Sequence, residues 1–254
     1  MNSIKKRQVF LALFLFLSFA KTFADGLCIA QGAVEKAYIE RIVDGDTLHL
    51  QDGRKVRLVG IDTPELDYET GRHQAYALEA KAYLSRLLDD FVYLQQAKDS
   101  QDRYGRHLYY LFDKHRISLT SQLLSEGLGY RIAVPPNLAY QACFVEAEQF
   151  AKTTHKGLWQ VLKPWHGEAG FSLAKFTVTS VSRNRGGWWL ETKDGPVINL
   201  PNSGMDYWSP QKVFYLQGKR VEARGWQYQR KYRSSQPRWV LIVRHPLDLI
   251  EIQD

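Results

Sequence analysis

Four acidic residues, Asp44, Asp46, Asp62 and Glu65, and two arginines, Arg57 and Arg106, stand out in this 254-residue sequence for their type and spacing. The acids sit at or near the ends of consecutive predicted strands, and neighbouring strands of a barrel bring such ends together. Asp46, Asp62 and Glu65 would then surround one hard cation. Calcium takes oxygen ligands, and carboxylates with a backbone carbonyl and water suffice for it. Guanidinium groups stay charged and donate paired hydrogen bonds to phosphate oxygens. Attack on a phosphodiester builds negative charge on the equatorial oxygens, which Arg57, Arg106 and a cation are suited to neutralise. Calcium activates water less than zinc does, so a general base is useful, and Glu65 is of the right type to be one. Taken singly, each residue has a plainer reading. Asp44-Gly45-Asp46-Thr47 is an ordinary turn with an Asx bond. A lone arginine is a solvated charge or an ion-pair partner. The ligand run of an EF-hand is missing, and the two cysteines, Cys28 and Cys143, have no zinc spacing.

The elements that must hold these residues follow from the pattern around them. Strands are predicted over Ala37–Ile42, Thr47–Leu50 and Lys55–Ile61, with a hairpin at Asp52-Gly53. Arg57 lies five residues before Asp62, and positions an odd number apart face opposite sides of a strand. A bulge or strand end must therefore re-aim one of them. Ala80, Tyr83, Leu84, Leu87 and Leu88 recur at helical spacing within a helix from about Gln74 to Leu88. Phe91–Ala97 and His107–Phe112 read as a further strand pair, with Arg106 in the turn between them. A short helix near Ser118–Glu126 stops at Gly127. A last one starts near Asn137 after Pro135-Pro136 and stops at Gly157, with Tyr140, Cys143, Phe144, Ala147, Phe150 and Ala151 as its apolar stripe. Short strands with helices inserted or appended give an α+β barrel and not a βαβ sheet.

The pattern breaks at Lys163-Pro164-Trp165-His166-Gly167. Beyond it, strand-like runs hold Phe176, Val178 and Val181, then Trp188–Thr192, Val197–Leu200, Lys219–Trp226 and Trp239–Arg244. Gly186-Gly187 and Asp194-Gly195 separate the early ones, and the spacing fits a small OB-like β-barrel. The predicted organisation is a leader over residues 1–24, a first domain over 25–167 and a basic β-rich accessory domain over 168–254. Lys5, Lys6 and Arg7 precede an apolar run from Val9 to Ala20, and Thr22-Phe23-Ala24 offers a small-residue cleavage site. That order is a secretory signal peptide, too short for a comfortable membrane span. Export makes the location periplasmic or extracellular and a Cys28–Cys143 disulfide feasible, with a packed free thiol at Cys143 as the other reading.

The formal charge of the whole chain is +7. Residues 1–24 hold four basic residues and no acidic one, which leaves the remainder at +3. That remainder is uneven, at −2 over residues 25–167 and +5 over residues 168–254. A nucleic-acid partner would feel the C-terminal part first. There, basic and aromatic residues interleave at Trp226, Tyr228, Arg230, Lys231, Tyr232, Arg233, Arg238 and Trp239. This suits single-stranded nucleic acid by backbone attraction and base stacking, and it equally suits a solvated hairpin over an aromatic core.

Four blocks taken in order resemble the thermonuclease, or staphylococcal nuclease-like, family. They are Val43-Asp44-Gly45-Asp46-Thr47, Arg57-Leu58-Val59-Gly60-Ile61-Asp62-Thr63-Pro64-Glu65, Asp102-Arg103-Tyr104-Gly105-Arg106 and Gly157-Leu158-Trp159. The resemblance implies a five-stranded OB-type barrel with three helices. It also implies Ca²⁺-dependent hydrolysis of DNA and RNA to 3′-phosphates. In that light Asp46 and Asp62 look like carboxylate ligands to calcium, and Thr63 like a ligand through its backbone carbonyl. Arg57, Glu65 and Arg106 look like the catalytic set, with Asp44 an acidic neighbour. The expected partners are single-stranded or locally melted DNA and RNA, and the expected state is a monomer. A second class, an inactive nuclease-like binding or scaffold module, would have lost some of these residues. Two departures stand out. The family's tyrosine-rich stretch is replaced by Gly129-Tyr130-Arg131-Ile132-Ala133-Val134-Pro135-Pro136. Asp67 and Glu69 add negative charge after Glu65.

Overall fold

A computed structural model of the chain describes residues 28–160, 164–232 and 235–252. The expected signal peptide over residues 1–24 lies outside the described residues. Among those described, no helix is long and apolar enough to cross a membrane.

Five strands close the first barrel, with β1 (Glu35–Ile42), β2 (Thr47–Leu50) and β3 (Lys55–Leu58) in sequence. After β4 (Ile61–Asp62) and α1 (Ala77–Leu87) come β5 (Phe91–Gln101) and β6 (His107–Phe112). The order round the barrel is β1-β2-β3-β6-β5, with β3 and β6 parallel and β5 returning antiparallel to β1. Alternation drives the closure, since Leu48, Leu50, Val56, Leu58, Val92 and Leu94 all point inward and are buried. The single strand expected over Lys55–Ile61 is broken in two. Gly60 sits between the pieces at φ 89°, and a Cβ there would lie 2.5 Å from Phe144 Cε2. That break separates Arg57 on β3 from Asp62 on β4.

Two more helices follow, α2 (Leu119–Ser125) and, after β7 (Tyr130–Arg131), α3 (Gln141–Thr153). Ser118 caps α2 by accepting the Ser121 N–H, and Gly127 ends it at φ 66°. Helix α3 begins four residues later than the sequence suggests. Asn137 is diverted to a different task, bonding the backbone N–H and carbonyl of Asp99 at 2.8 and 3.1 Å. Tyr140 turns through φ 64° before the helix starts. Cys143 on α3 is joined to Cys28 by a disulfide, which resolves the choice left open by the sequence.

The C-terminal part forms a second barrel. Its members are β8 (Gly170–Asn184), β9 (Gly187–Thr192), β10 (Val197–Pro201), β11 (Arg220–Tyr232) and β12 (Ser235–Ile242). Pairings run β8-β9-β10-β12-β11 and back to β8, with β10 and β12 parallel. This is the strand order of the first barrel repeated. A short helix, α4 (Pro210–Tyr215), lies between the third and fourth strands, as α1 does in the first. A final strand, β13 (Leu249–Glu251), adds to the edge of β11. The chain is thus α+β, an OB-type barrel with three helices followed by a second five-stranded barrel. Each barrel has its own buried apolar core.

Candidate active site

The site is built on the turn after β1. Asp44 Oδ1 accepts the Asp46 N–H at 2.9 Å, so the plain Asx-turn reading is correct. The turn does more than reverse the chain, because it drives Asp46 inward to 4% exposure. Gly45 allows this. A Cβ there would lie 2.7 Å from the Ala80 Cβ of α1 and 2.8 Å from Thr63 Oγ1. Asp46 Oδ1 accepts from Thr47 Oγ1, and Oδ2 accepts from the Thr63 N–H, both at 3.0 Å.

Arg57 binds the two buried acids together. Its Nη2 lies 3.0 Å from Asp46 Oδ2 and 3.0 Å from Asp62 Oδ1. Its Nη1 donates to the carbonyls of Leu58 and Ile61 at 2.8 and 2.9 Å. The break at Gly60 is the re-aiming that the odd spacing of Arg57 and Asp62 required. Arg106 stands at the rim. Asp102 holds its Nε at 2.7 Å and its backbone N–H at 3.0 Å, and a long 3.5 Å contact joins Nη1 to Thr47 Oγ1. Glu65 is exposed, and its backbone is fixed from both sides. Gln74 Oε1 accepts its N–H at 2.9 Å, and its carbonyl accepts the Gln74 N–H at 3.1 Å. The structure therefore brings Asp46, Arg57, Asp62 and Thr63 into direct contact. It links Arg106 to them through Thr47 and places Glu65 at their edge.

Negative charge is crowded here. Burial pushes the Asp62 carboxyl up to about 7; Arg57 opposes the rise, while Asp46 and Glu65 add to it. Burial, followed by repulsion from Asp46, raises Asp44 to about 6. Glu65 is raised too, by burial and then by Asp46. Four carboxylates face two guanidinium groups, an excess that a cation would relieve. Among the described residues, no group of three or more His, Cys, Asp and Glu side chains is arranged to hold a metal ion. The oxygen donors best placed for one are the carboxylates of Asp46 and Asp62. An all-oxygen donor set fits a hard divalent ion and not zinc.

Three supporting residues escape a reading of the sequence alone. Thr47 joins Asp46 to Arg106, Asp102 orients Arg106, and Gln74 anchors Glu65. Only Asp102, four residues before Arg106 across a turn, leaves a signal in the sequence. The Asp67 carboxylate caps its own turn by accepting the Glu69 and Thr70 N–H groups.

The profile of the family described as "Staphylococcal nuclease homologue" matches residues 55–161, a span that includes Arg57, Asp62, Glu65 and Arg106. The thermonuclease of Staphylococcus hyicus is 33% identical over 132 residues, which cover 50% of this chain and 78% of that protein. The chain belongs to the thermonuclease family. A second thermonuclease, from Staphylococcus intermedius, is 30% identical over 130 residues, covering 50% of this chain and 77% of its own. Endonuclease YhcR of Bacillus subtilis is 29% identical over 149 residues, but these are 12% of its length. Within the thermonuclease fold, Tyr130 is the one tyrosine of the altered Gly129–Pro136 stretch. It is stacked on Phe171 of the second barrel with centroids 5.5 Å apart and meets Trp159 edge-on at 5.3 Å. Packed in this way, its half-buried ring is committed to Phe171 and Trp159 and is not a free platform for a base.

Proposed function

We propose that this thermonuclease-family chain is an exported, calcium-dependent nuclease that hydrolyses phosphodiester bonds in DNA and RNA and leaves 3′-phosphate ends. The observation that carries the reading is Arg57 gripped between two buried carboxylates with Arg106 beside them. A complete set of acid, base and guanidinium groups argues for an active enzyme over a degenerate binding module.

Asp46, Asp62 and the Thr63 carbonyl would hold the cation, which would supply positive charge to the phosphate oxygens. Arg57, held by Asp46 and Asp62 through Nη2, would lend its positive charge to the same phosphate. Arg106 meets the same phosphate from the rim, held by Asp102. Both guanidinium groups gain most where charge develops, on the equatorial oxygens. Glu65, at the exposed edge and with an elevated pKa, orients the attacking water or takes its proton. The substrate is single-stranded or locally melted nucleic acid, and the enzyme acts as a monomer. On the second barrel, the exposed Tyr228 and the Trp189 ring under Arg230 suit contact with such a strand.

End-group analysis of DNA and RNA products across a calcium titration tests the proposal. Digestion that rises with calcium, stops with chelator and leaves 3′-phosphates is the expected result. Equal digestion with and without chelator overturns the metal assignment. No digestion in either condition favours the inactive module.

A further inference from the structure

The second barrel is wired into the strand that carries Asp62. Strand β7 pairs with β4, Arg131 opposite Ile61 and Tyr130 opposite Asp62, and the Ile132 N–H donates to the Gly60 carbonyl at 3.1 Å. That uses the inner edge of β7. Its outer edge is met by charged side chains. The Arg131 N–H donates to Glu148 Oε1 at 2.8 Å. The Arg131 carbonyl accepts from Arg224 Nη1 at 3.0 Å, and the Ala133 N–H donates to Asp248 Oδ2 at 2.9 Å. Arg224 lies on β11 of the second barrel, and Asp248 in the turn that leads from that barrel into β13.

These four charges form one buried network. Arg224 Nη1 lies 2.6 Å from Glu148 Oε1, and Arg131 Nη1 lies 3.2 Å from Asp248 Oδ1. Arg131 Nη2 also donates to the Leu247 carbonyl at 2.6 Å, and Arg224 Nη2 pairs with Glu222. Arg131 and Arg224 are each 1% exposed. Stability alone is a poor reason for such an arrangement, because desolvation of buried ion pairs offsets much of their attraction. Burial is the largest influence on Arg131 and Asp248 and moves each toward its neutral form, whereas the carboxylates around Arg224 outweigh burial and hold it charged. What a network of this kind supplies is a single allowed geometry.

We infer that Arg224 and Asp248 are positioning residues of the active site: by fixing the outer edge of β7 they fix β4, and with it Asp62 and the Arg57 that bonds the Ile61 carbonyl. The inference rests on the catalytic reading above for its kinetic consequence, but its structural content is independent of that reading. The second barrel is then a part of the catalytic framework and not a detachable binding module. Removing it wholesale would strip Arg131 and Glu148 of buried partners, so truncation is the wrong probe.

Point variants of the full chain with its disulfide intact separate the possibilities. Arg224→Met keeps most of the side-chain volume and removes the donors, Arg224→Lys restores one charge, and Asp248→Asn tests the other anchor. Amide hydrogen exchange is the readout that does not depend on turnover. In Arg224→Met, protection of the Ile61–Thr63 and Arg131–Ala133 amides is expected to fall at least tenfold, while β1, β2 and β9 keep theirs. In calcium-supported cleavage of single-stranded DNA, kcat is expected to fall about tenfold or more with KM within twofold, and Arg224→Lys should recover part of it. Asp248→Asn follows the same pattern and decides the matter if Arg224→Met does not fold. Unchanged protection at β4 and β7 overturns the inference, as does a loss confined to KM. A wild type inert toward DNA and RNA fails the nuclease reading, and the exchange data still decide whether the second barrel holds β4.

Discussion

At the scale of single residues, the site separates groups that act on substrate from groups that also hold the fold. Arg106→Ala and Glu65→Gln remove groups at the rim of the site, so each is expected to lower kcat by roughly 10²–10³ at an unchanged unfolding temperature. Arg57→Ala differs. Its guanidinium is buried between Asp46 and Asp62, and its removal strands two carboxylates at a cost of roughly 3–5 kcal/mol on top of the lost rate. Melting in chelator and then in excess calcium checks this, since a cation at Asp46 and Asp62 should recover part of the loss. Equal melting of all three variants without calcium would contradict the geometry. The chemistry of these residues was legible because carboxylates and guanidinium groups appear in three of the four ordered blocks. The helpers were not. Gln74 contributes through a side-chain bond to the backbone of Glu65 nine positions earlier, and glutamines in loops give no warning of such a task. Tyr130 shows the reverse, a residue whose type suits base stacking but whose ring is already stacked on Phe171 and met edge-on by Trp159.

At the scale of elements, alternation and turn chemistry revealed most of the first barrel. Asp52-Gly53 closes β2 onto β3, and the buried Leu48, Leu50, Val56 and Leu58 repeat at the strand period. Two-residue pieces such as β4 and β7 are too short to carry a period, so the strand holding Asp62 read as a continuation of β3. The late start of α3 had a similar cause, for Asn137 is an apt helix cap by type but is committed to Asp99. In the second barrel the expected strands are present but longer, and α4 is only six residues, too brief for a helical stripe. Gly60 is where element and site meet. Its φ of 89° is strained for any L side chain, and an added methyl would strike the Phe144 ring. Gly60→Ala is therefore expected to cost about 1–3 kcal/mol from backbone strain alone, with the ring clash adding to it. Because the change swings β4 relative to β3, kcat should fall even in the fraction that remains folded. Denaturant unfolding together with kinetics checks this, and a variant with wild-type midpoint and rate would show that the β3–β4 break has no need of glycine.

At the scale of the whole molecule, links between segments far apart in sequence hold the parts in place, and no local pattern reveals them. The disulfide joins positions 115 residues apart, and a loop of that order is worth roughly 2–5 kcal/mol. Reductant, or a Cys28→Ser and Cys143→Ser double variant, should lower the unfolding temperature accordingly, and an unmoved melt would mean the bond does not form. The contact between the barrels yields a sharper prediction through Asp248. Facing it are Arg131 from β7, the Ala133 N–H just beyond that strand, Arg224 from β11 and Glu148 from α3, yet burial prevails and its pKa rises from 3.8 to about 6. A carboxyl whose pKa is higher in the folded chain than in the unfolded one binds more protons when folded. Stability from this group is therefore fully present below about pH 4 and declines as pH rises through 6, in total by about 3 kcal/mol at 1.36 kcal/mol per unit. Asp248→Asn removes that titration and leaves the others. The stability difference between wild type and Asp248→Asn should therefore shift against the wild type as pH rises from 4 to 7, levelling off above 7. A difference that is flat across that range, or one that moves the other way, would mean Arg131 stabilises the Asp248 carboxylate more than burial penalises it. The network would then be a source of stability and not, as its burial implies, a device that fixes one barrel against the other.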